Sequence, residues 1–126
     1  MLPDNHVPDE GAVYVYRGTV YDVYDGDTIR VDVELGFYQV AIRQRFRLFG
    51  INTPEVRGEE RQRGIEVRDY VRSIIPKGTE VIVQTIKDKT GKYGRWLAVI
   101  WVESPGGWVN VNQHLLEHGM AEELNY

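Results

Sequence analysis

The first half of the chain alternates hydrophobic and polar side chains with a period of two. The stretches AVYVYRGTVYDVY (residues 12–24) and TIRVDVEL (residues 28–35) follow this pattern and are rich in valine and tyrosine. Asp25-Gly26 stands between them and is a typical turn dipeptide. A third run, VAIRQRFRLFGI at residues 40–51, follows a short loop. The pattern therefore predicts three consecutive strands.

The spacing of the apolar residues changes after a polar, glycine-containing loop. In IEVRDYVRSII, residues 65–75, they recur at helical intervals, and Pro76-Lys77-Gly78 ends the predicted helix. EVIVQTIK (residues 80–87) and RWLAVIWVE (residues 95–103) are two further predicted strands.

A short second helix is predicted at residues 111–118, with Asn110 as its N-cap and Gly119 as its end. The order of three strands, a helix, two strands and a helix predicts a mainly β fold with α (α+β). It suits a five-stranded OB-fold Greek-key barrel with a helix between strands 3 and 4 and a short C-terminal helix. We expect residues 1–11 to form a flexible N-terminal tail and residues 12–126 to form one domain.

The composition changes this picture mainly through the distribution of charge. The net charge is −4, but residues 37–95 carry 13 basic and 7 acidic side chains between two acidic ends. A basic zone of this kind attracts phosphate-bearing ligands if it folds onto one face, and is otherwise a solvated surface.

The absence of cysteine excludes disulfides and thiolate metal sites. No apolar run is long enough to span a bilayer, and the first residues do not form a signal peptide. We expect a monomer that is cytoplasmic, or secreted if a leader has been removed.

Oxygen-bearing side chains stand at two of the predicted strand ends. Asp27 follows the first turn, where a structural role in the hairpin is the alternative to a functional one. In RLFGINTPE (Arg47–Glu55) an apolar run ends in Asn52, Thr53 and Glu55. A residue before proline is held extended, so Thr53 begins a rigid polar exit from the strand. Carboxylate, amide and main-chain oxygens are the ligands that Ca²⁺ takes.

A third cluster is GKYGR, residues 91–95, with Lys92, Tyr93 and Arg95 beside two glycines. Arginine forks pair well with phosphate oxygens, although exposed basic residues on a glycine hairpin are the simpler explanation for this cluster alone. With Arg47, the three clusters provide two guanidinium groups, a carboxylate and an oxygen-rich cation site. That set is suited to hydrolysis of a phosphodiester.

These motifs resemble those of the staphylococcal nuclease (thermonuclease) family over roughly residues 18–126. The resemblance rests on DGDT at residues 25–28, RLFGINTPE at 47–55 and KYGR at 92–95, with LLEHGMA at 115–121 downstream. It implies a Ca²⁺-dependent endonuclease that hydrolyses DNA and RNA with little sequence specificity and leaves 3′-phosphate ends. Single-stranded or melted substrate is expected to be preferred.

The resemblance also implies roles for particular residues. Asp27, Asn52 and the Thr53 carbonyl correspond to metal ligands. Arg47 and Arg95 correspond to the groups that hold the phosphate and its transition state, and Glu55 to the general base. Lys92 and Tyr93 correspond to substrate-binding positions.

The sequence departs from the family pattern in three places. Asn52 stands where the prototype has aspartate, which predicts a weaker or more permissive Ca²⁺ site. Gly91 replaces an acidic residue that often supports the cation, and no C-terminal helix of the prototype follows Tyr126.

Other functions remain alternatives at this stage. A non-catalytic OB-fold module would bind nucleic acid through stacking on aromatic residues such as Tyr38, Tyr93, Phe46 and the tryptophans, of which Trp96 and Trp101 are expected in the core. A protein-interaction domain is a further alternative. His114 and His118 have the spacing of zinc ligands, but two surface histidines near a helix end are the simpler interpretation.

Overall fold

The computed structural model describes residues 14–86 and 96–125. These residues form a mainly β structure with two helices. The strands are β1 (Tyr14–Asp25), β2 (Thr28–Gly36), β3 (Gln39–Leu48), β4 (Ile51–Asn52), β5 (Glu80–Ile86), β6 (Trp96–Ser104), β7 (Gly107–Asn110) and β8 (Glu122–Glu123). The helices are α1 (Arg61–Ile74), which follows a 3-10 turn at Gly58–Glu60, and α2 (Val111–Glu117).

Six of the strands form one barrel-like sheet in the order β3-β2-β1-β5-β6-β7. β3 also pairs with β6 in parallel. The five strands β3, β2, β1, β5 and β6 therefore close into a ring, and β7 pairs with the outer edge of β6. β4 and β8 form a separate two-stranded antiparallel ribbon. β2 pairs with β1 on one edge and with β3 on the other, and the last residues of β3, Phe46–Leu48, pair with the beginning of β6.

The interior of the sheet is filled by branched apolar side chains from the inward positions of the strands. Ile29, Leu48 and Ile100 are fully buried there. Val67 and Val71 bring α1 against the same core. β2 alternates these buried positions with more exposed ones most clearly, since Ile29, Val31 and Val33 are buried between more exposed neighbours.

The prediction of a mainly β fold with two helices and a barrel-like sheet is confirmed. One predicted strand is interrupted, however. β3 ends at Leu48, the chain turns at Phe49–Gly50, and β4 begins at Ile51. Gly50 adopts a φ of +78°, a conformation that apolar patterning does not reveal. The prediction of a continuous strand through Ile51 is therefore wrong.

Other boundaries also differ from the sequence prediction. α1 begins at Arg61 rather than at residue 65. The predicted start was too late because the first turn of the helix is polar and exposed and shows no apolar spacing. The short strands β7 and β8 were not predicted. The Asn110 cap is confirmed, since its side-chain oxygen accepts a 3.0 Å hydrogen bond from the Gln113 backbone N–H.

The aromatic residues are placed differently from the expectation. Phe46 is buried in the core, so it is not available to stack on a base. Trp96 is 47% exposed rather than buried, and Trp101 is half-buried with its indole N–H 3.4 Å from the Gln84 side-chain oxygen. Tyr38 is fully exposed at the tip of the β2–β3 hairpin.

The predicted tail at residues 1–11 lies outside the described residues. Among the described residues, no helix is long and apolar enough to cross a membrane.

Candidate active site

Asp27 occupies the turn between β1 and β2, and its side chain is buried. Its backbone carbonyl accepts a 2.8 Å hydrogen bond from the Leu48 N–H, which fixes the turn against the end of β3. Its carboxylate accepts from the Thr28 hydroxyl at 3.2 Å and from the Thr53 backbone N–H at 3.1 Å. The carboxylate therefore joins the first hairpin to the polar exit, although the two lie 26 residues apart.

Arg47 lies beside this carboxylate because β2 and β3 pair Thr28 with Arg47. Its Nη2 is 3.8 Å from Asp27 Oδ2 and donates a 3.0 Å hydrogen bond to Asn52 Oδ1. A longer contact of 3.4 Å reaches the Ile51 carbonyl. The guanidinium thus stands among three oxygens. The turn at Phe49–Gly50, which separates β3 from β4, brings the side chains of Arg47 and Asn52 face to face.

A buried asparagine holds that turn in place. Asn112, in α2, donates from Nδ2 to the Phe49 carbonyl at 2.9 Å and to the Ala98 carbonyl at 3.0 Å. Its Oδ1 accepts from the Ile100 N–H at 3.2 Å. All of its hydrogen-bonding capacity toward the core is used, as a buried amide requires. Sequence reasoning missed this residue, since an asparagine in a helix carries no signal of its distant partners.

Asp25, whose sequence position indicated only a turn, is a second carboxylate at the site. Its Oδ1 accepts a 3.1 Å hydrogen bond from the Asp27 backbone N–H. Burial, followed by the neighbouring Asp27 carboxylate, raises the pKa of Asp25 to about 6. Two carboxylates held this close resist being charged together, and a bound cation relieves that repulsion.

The backbone around Glu55 is fixed by the beginning of α1. The Glu55 N–H donates a 3.1 Å hydrogen bond to the Glu60 carboxylate. The Glu55 carbonyl packs against Gly64 so closely that a Cβ at position 64 would lie 1.9 Å from its oxygen. The Glu55 side chain is exposed. The segment after Pro54 is therefore held by the helix while its carboxylate stays in contact with solvent.

Gly26 and Thr53 fit together at the base of the site. A Cβ on Gly26 would lie 2.8 Å from the Thr53 hydroxyl oxygen and 2.7 Å from Val67. Thr53 is buried, and among the described residues its hydroxyl oxygen has no hydrogen-bond partner. Buried polar atoms are nearly always paired, so this oxygen is an exception at the base of the site.

These donors fit a hard divalent cation. The Asp27 carboxylate and the Asn52 amide oxygen lie on either side of Arg47 Nη2, and carboxylate and amide oxygens are ligands that Ca²⁺ takes. Among the described residues there is no group of three or more histidine, aspartate or glutamate side chains suited to a metal. A cation here would thus rely on neutral oxygens and water as well as on carboxylates.

Lys92, Tyr93 and Arg95 lie outside the described residues. His114 Nε2 is 2.6 Å from the Tyr70 hydroxyl, and His118 Nδ1 is 2.9 Å from the His114 carbonyl. Burial lowers the pKa of His114, and the charge of His118 lowers it further. The His114 contact links α2 to α1, whereas the His118 contact lies within the end of α2.

The family of the chain follows from comparison with known proteins. The model of the staphylococcal nuclease homologue family matches residues 45–126, which is more than half of the chain. The chain belongs to this family, as its motifs predict. The matched region includes Arg47, Asn52 and Glu55 and begins after the turn that carries Asp27.

Two curated relatives match at similar levels of identity. Endonuclease YhcR of Bacillus subtilis is 28% identical over 114 residues, which cover 84% of this chain and 9% of that protein. The uncharacterized protein MJ1439 of Methanocaldococcus jannaschii is 27% identical over 126 residues, which cover 84% of this chain and 58% of that protein. The chain therefore spans only part of the length of each.

Among solved structures, the extended Tudor domain TD3 of mouse TDRD1, in complex with a MILI peptide containing dimethylarginine, shares the fold. The TM-score is 0.51 at 10% identity, over 95% of this chain and 72% of that chain. At this identity the likeness concerns the fold alone.

Proposed function

We propose that this protein is a Ca²⁺-dependent nuclease built on an OB-fold barrel, which hydrolyses phosphodiester bonds of DNA and RNA with little sequence specificity. The observation that carries the proposal is the Arg47 guanidinium, which lies between the Asp27 carboxylate and the Asn52 amide oxygen at the polar exit that leads to Glu55. Membership of the nuclease homologue family and the similarity to an endonuclease support it.

The residues divide between holding the ion and handling the phosphate. Asp27, Asn52 and the Thr53 carbonyl would hold Ca²⁺, which when bound polarises the phosphoryl group. Asp27 is already oriented by the Thr28 hydroxyl and the Thr53 N–H, so little rearrangement of its carboxylate is needed.

Arg47 and Arg95 neutralise the charge that develops on the phosphoryl oxygens. A guanidinium presents two parallel N–H groups to two oxygens, which matches a phosphate better than an ammonium does. In the free protein Arg47 donates to Asn52, and this hydrogen bond keeps the guanidinium at the edge of the site. A phosphate would replace the neutral amide oxygen as the acceptor, because charged acceptors form stronger hydrogen bonds.

Glu55 acts as the general base. It takes a proton from the attacking water while the water oxygen forms a bond to phosphorus and the bond from phosphorus to the 5′ oxygen breaks. The 5′ oxygen leaves with a proton from solvent, and the other product keeps a 3′-phosphate. The packing of the Glu55 peptide on Gly64 fixes the backbone from which this carboxylate projects.

A second candidate function is a non-catalytic module that binds single-stranded nucleic acid. Asn52 favours it, because a neutral amide in place of a carboxylate weakens an ion site. Tyr38 and Trp96 also favour it, since both present exposed rings suited to stacking on bases.

Cleavage of a labelled single-stranded oligonucleotide tests the proposal. We expect products with 3′-phosphate ends in Ca²⁺, none in chelator, and a rate lowered 10²- to 10⁴-fold in Glu55→Gln with binding retained. Glu59→Gln, an exposed neighbour on the same loop, is the matched control and should cleave like the parent. Binding by the parent without Ca²⁺-dependent cleavage would select the module instead.

A further inference from the structure

A second concave surface lies on the outside of the barrel, between β1, β2 and the end of α1. It is a cleft of about 360 Å³, and Tyr21, Asp22, Arg30, Arg72 and Lys77 contribute to its lining. None of these residues belongs to the candidate active site. Most of the charge in the lining is positive, which is unusual for a chain with a net charge of −4.

Three cations converge on one aromatic ring at this cleft. Lys77 Nζ lies 4.5 Å from the centroid of the Tyr21 ring. The guanidinium carbons of Arg43 and Arg30 lie 4.7 and 5.1 Å from the same centroid. Each contact is an attractive cation–π interaction, but the cations repel one another. The ring therefore gathers positive charge into a small volume.

Acidic side chains balance only part of this charge. Asp22 accepts two hydrogen bonds from Arg30, one of them 2.8 Å from Nε to Oδ1. Asp69 lies 4.0 Å from Arg72. In the part of the chain that the structure describes, Arg43 and Lys77 form no ion pair with a carboxylate.

The backbone also holds the cleft in shape. Arg72 donates from both Nε and Nη2 to the Val23 carbonyl, at 3.0 and 2.8 Å, and so ties the end of α1 to β1. Arg43 adopts a φ of +52° at an irregularity in the β2–β3 pairing, which aims its side chain differently from its neighbours. The cations are therefore presented from three separate elements toward one point.

We propose that this cleft is a second phosphate-binding subsite, which holds the backbone of a nucleic-acid strand beyond the bond at the active site. The assignment of the cleft to a nucleic-acid strand rests on the proposed function. The register supports the connection: β2 and β3 pair Thr28 with Arg47 and Arg30 with Arg45. Thr28 and Arg30 therefore lie on one face, about 7 Å apart along the strand. Arg30, which lines the cleft, therefore lies two residues along β2 from the residue that pairs with Arg47.

Two charge-removing double variants test the subsite by binding rather than by cleavage. Arg43→Gln/Lys77→Gln removes two of the three cations that lie over the Tyr21 ring, neither of which forms an ion pair with a carboxylate among the described residues. Arg17→Gln/Arg63→Gln removes the same charge at residues that belong neither to the cleft lining nor to the cations over Tyr21. The dissociation constants for a single-stranded 12-nucleotide and a dinucleotide carrying a 3′-phosphate are measured in chelator across a series of salt concentrations.

We expect the cleft variant to bind the 12-nucleotide about tenfold more weakly at low salt, and the dinucleotide as the parent does. The slope of log affinity against log salt should fall in magnitude by about 1.4, since each lost phosphate contact on a single strand is worth about 0.7. The control variant should change the affinity for the 12-nucleotide and the salt slope much less. Asp22→Asn should tighten binding of the 12-nucleotide, because it removes the negative charge from the lining.

Several results would overturn the subsite. The first is an equal loss of affinity for the 12-nucleotide in both double variants. The second is a loss of affinity for the dinucleotide in the cleft variant as large as that for the 12-nucleotide. The third is competition by inorganic phosphate as effective as that by the 12-nucleotide at equal phosphate concentration. Failure of the proposed function is distinguishable, because a parent that cleaves nothing can still show the difference between the two double variants. Thermal unfolding of each variant separates lost binding from lost folding.

Discussion

The Arg47 guanidinium donates a 3.0 Å hydrogen bond to the amide oxygen of Asn52. The same nitrogen is 3.8 Å from the Asp27 carboxylate, so one positive charge is shared between a neutral and a negative oxygen. A carboxylate at position 52 would compete with a phosphate for Arg47 much more strongly than an amide does. Asparagine at position 52, in place of the aspartate of the family pattern, therefore affects both the part of the candidate site that holds the ion and the part that holds the phosphate.

Asn52→Asp should tighten Ca²⁺ binding by about tenfold, which corresponds to about 1.4 kcal/mol. A second carboxylate adds charge to the oxygen set, and exposure of residue 52 keeps the gain modest. Calorimetric titration with Ca²⁺ measures it. Gln39→Glu, which adds the same charge at the exposed end of β3, is the control and should leave the affinity unchanged. Equal affinities of the parent and Asn52→Asp would remove residue 52 from the ion site.

Arg47→Lys should lower kcat/KM about 100-fold while the protein stays folded. Lysine keeps the charge but replaces a rigid fork with a single ammonium, which does not match two phosphoryl oxygens. Steady-state cleavage of an oligonucleotide measures the effect, and Arg17→Lys on the exposed part of β1 is the charge-matched control. A parental rate in Arg47→Lys would mean that the charge alone matters there.

Gly64→Ala should destabilise the protein by about 1–3 kcal/mol, although alanine is the better helix former by about 1 kcal/mol. The added Cβ would lie 1.9 Å from the Glu55 carbonyl oxygen, so the Glu55 segment or the start of α1 must move. Urea denaturation measures the free energy of unfolding, and cleavage should fall with it because Glu55 is displaced.

Gly106→Ala is the control for that substitution, since nothing lies within 4 Å of a Cβ at position 106. The packing explanation fails if Gly64→Ala proves as stable as the parent.

Stability should depend on pH through Asp22. The hydrogen bonds from Arg30 lower the pKa of Asp22 below its ordinary value of 3.8. A group whose folded pKa is depressed stabilises the fold above its unfolded pKa, and the contribution is lost as the pH falls through the folded value. The difference in unfolding free energy between the parent and Asp22→Asn should therefore be small but constant above about pH 5 and shrink below about pH 4.

Urea denaturation at pH 7 and pH 3 measures this difference, with Glu34→Gln at an exposed position of β2 as the control. A difference that grows at pH 3 would contradict the assignment.

Much of the fold follows from local patterns. Period-two alternation located β1 and β2 because one face of each strand is buried in the barrel. The capping preference of Asn110 located the start of α2, since that hydrogen bond is local. The break at Gly50 was missed because the apolar run continues across it, although a glycine inside a strand pattern is itself a signal of a positive φ.

The sequence by itself determined which chemical groups this protein has available: the ordered motifs around Asp27, Arg47 and Glu55 and the family to which they belong. Only the tertiary structure decided that Asp27 accepts a hydrogen bond from Thr53, that Arg47 turns toward Asn52, and that cations from three elements meet at Tyr21. The physical reason is that strand pairing and turns bring together residues far apart in the chain. Hydrogen bonds and charge act over a few ångströms of space, whatever the number of residues between the partners.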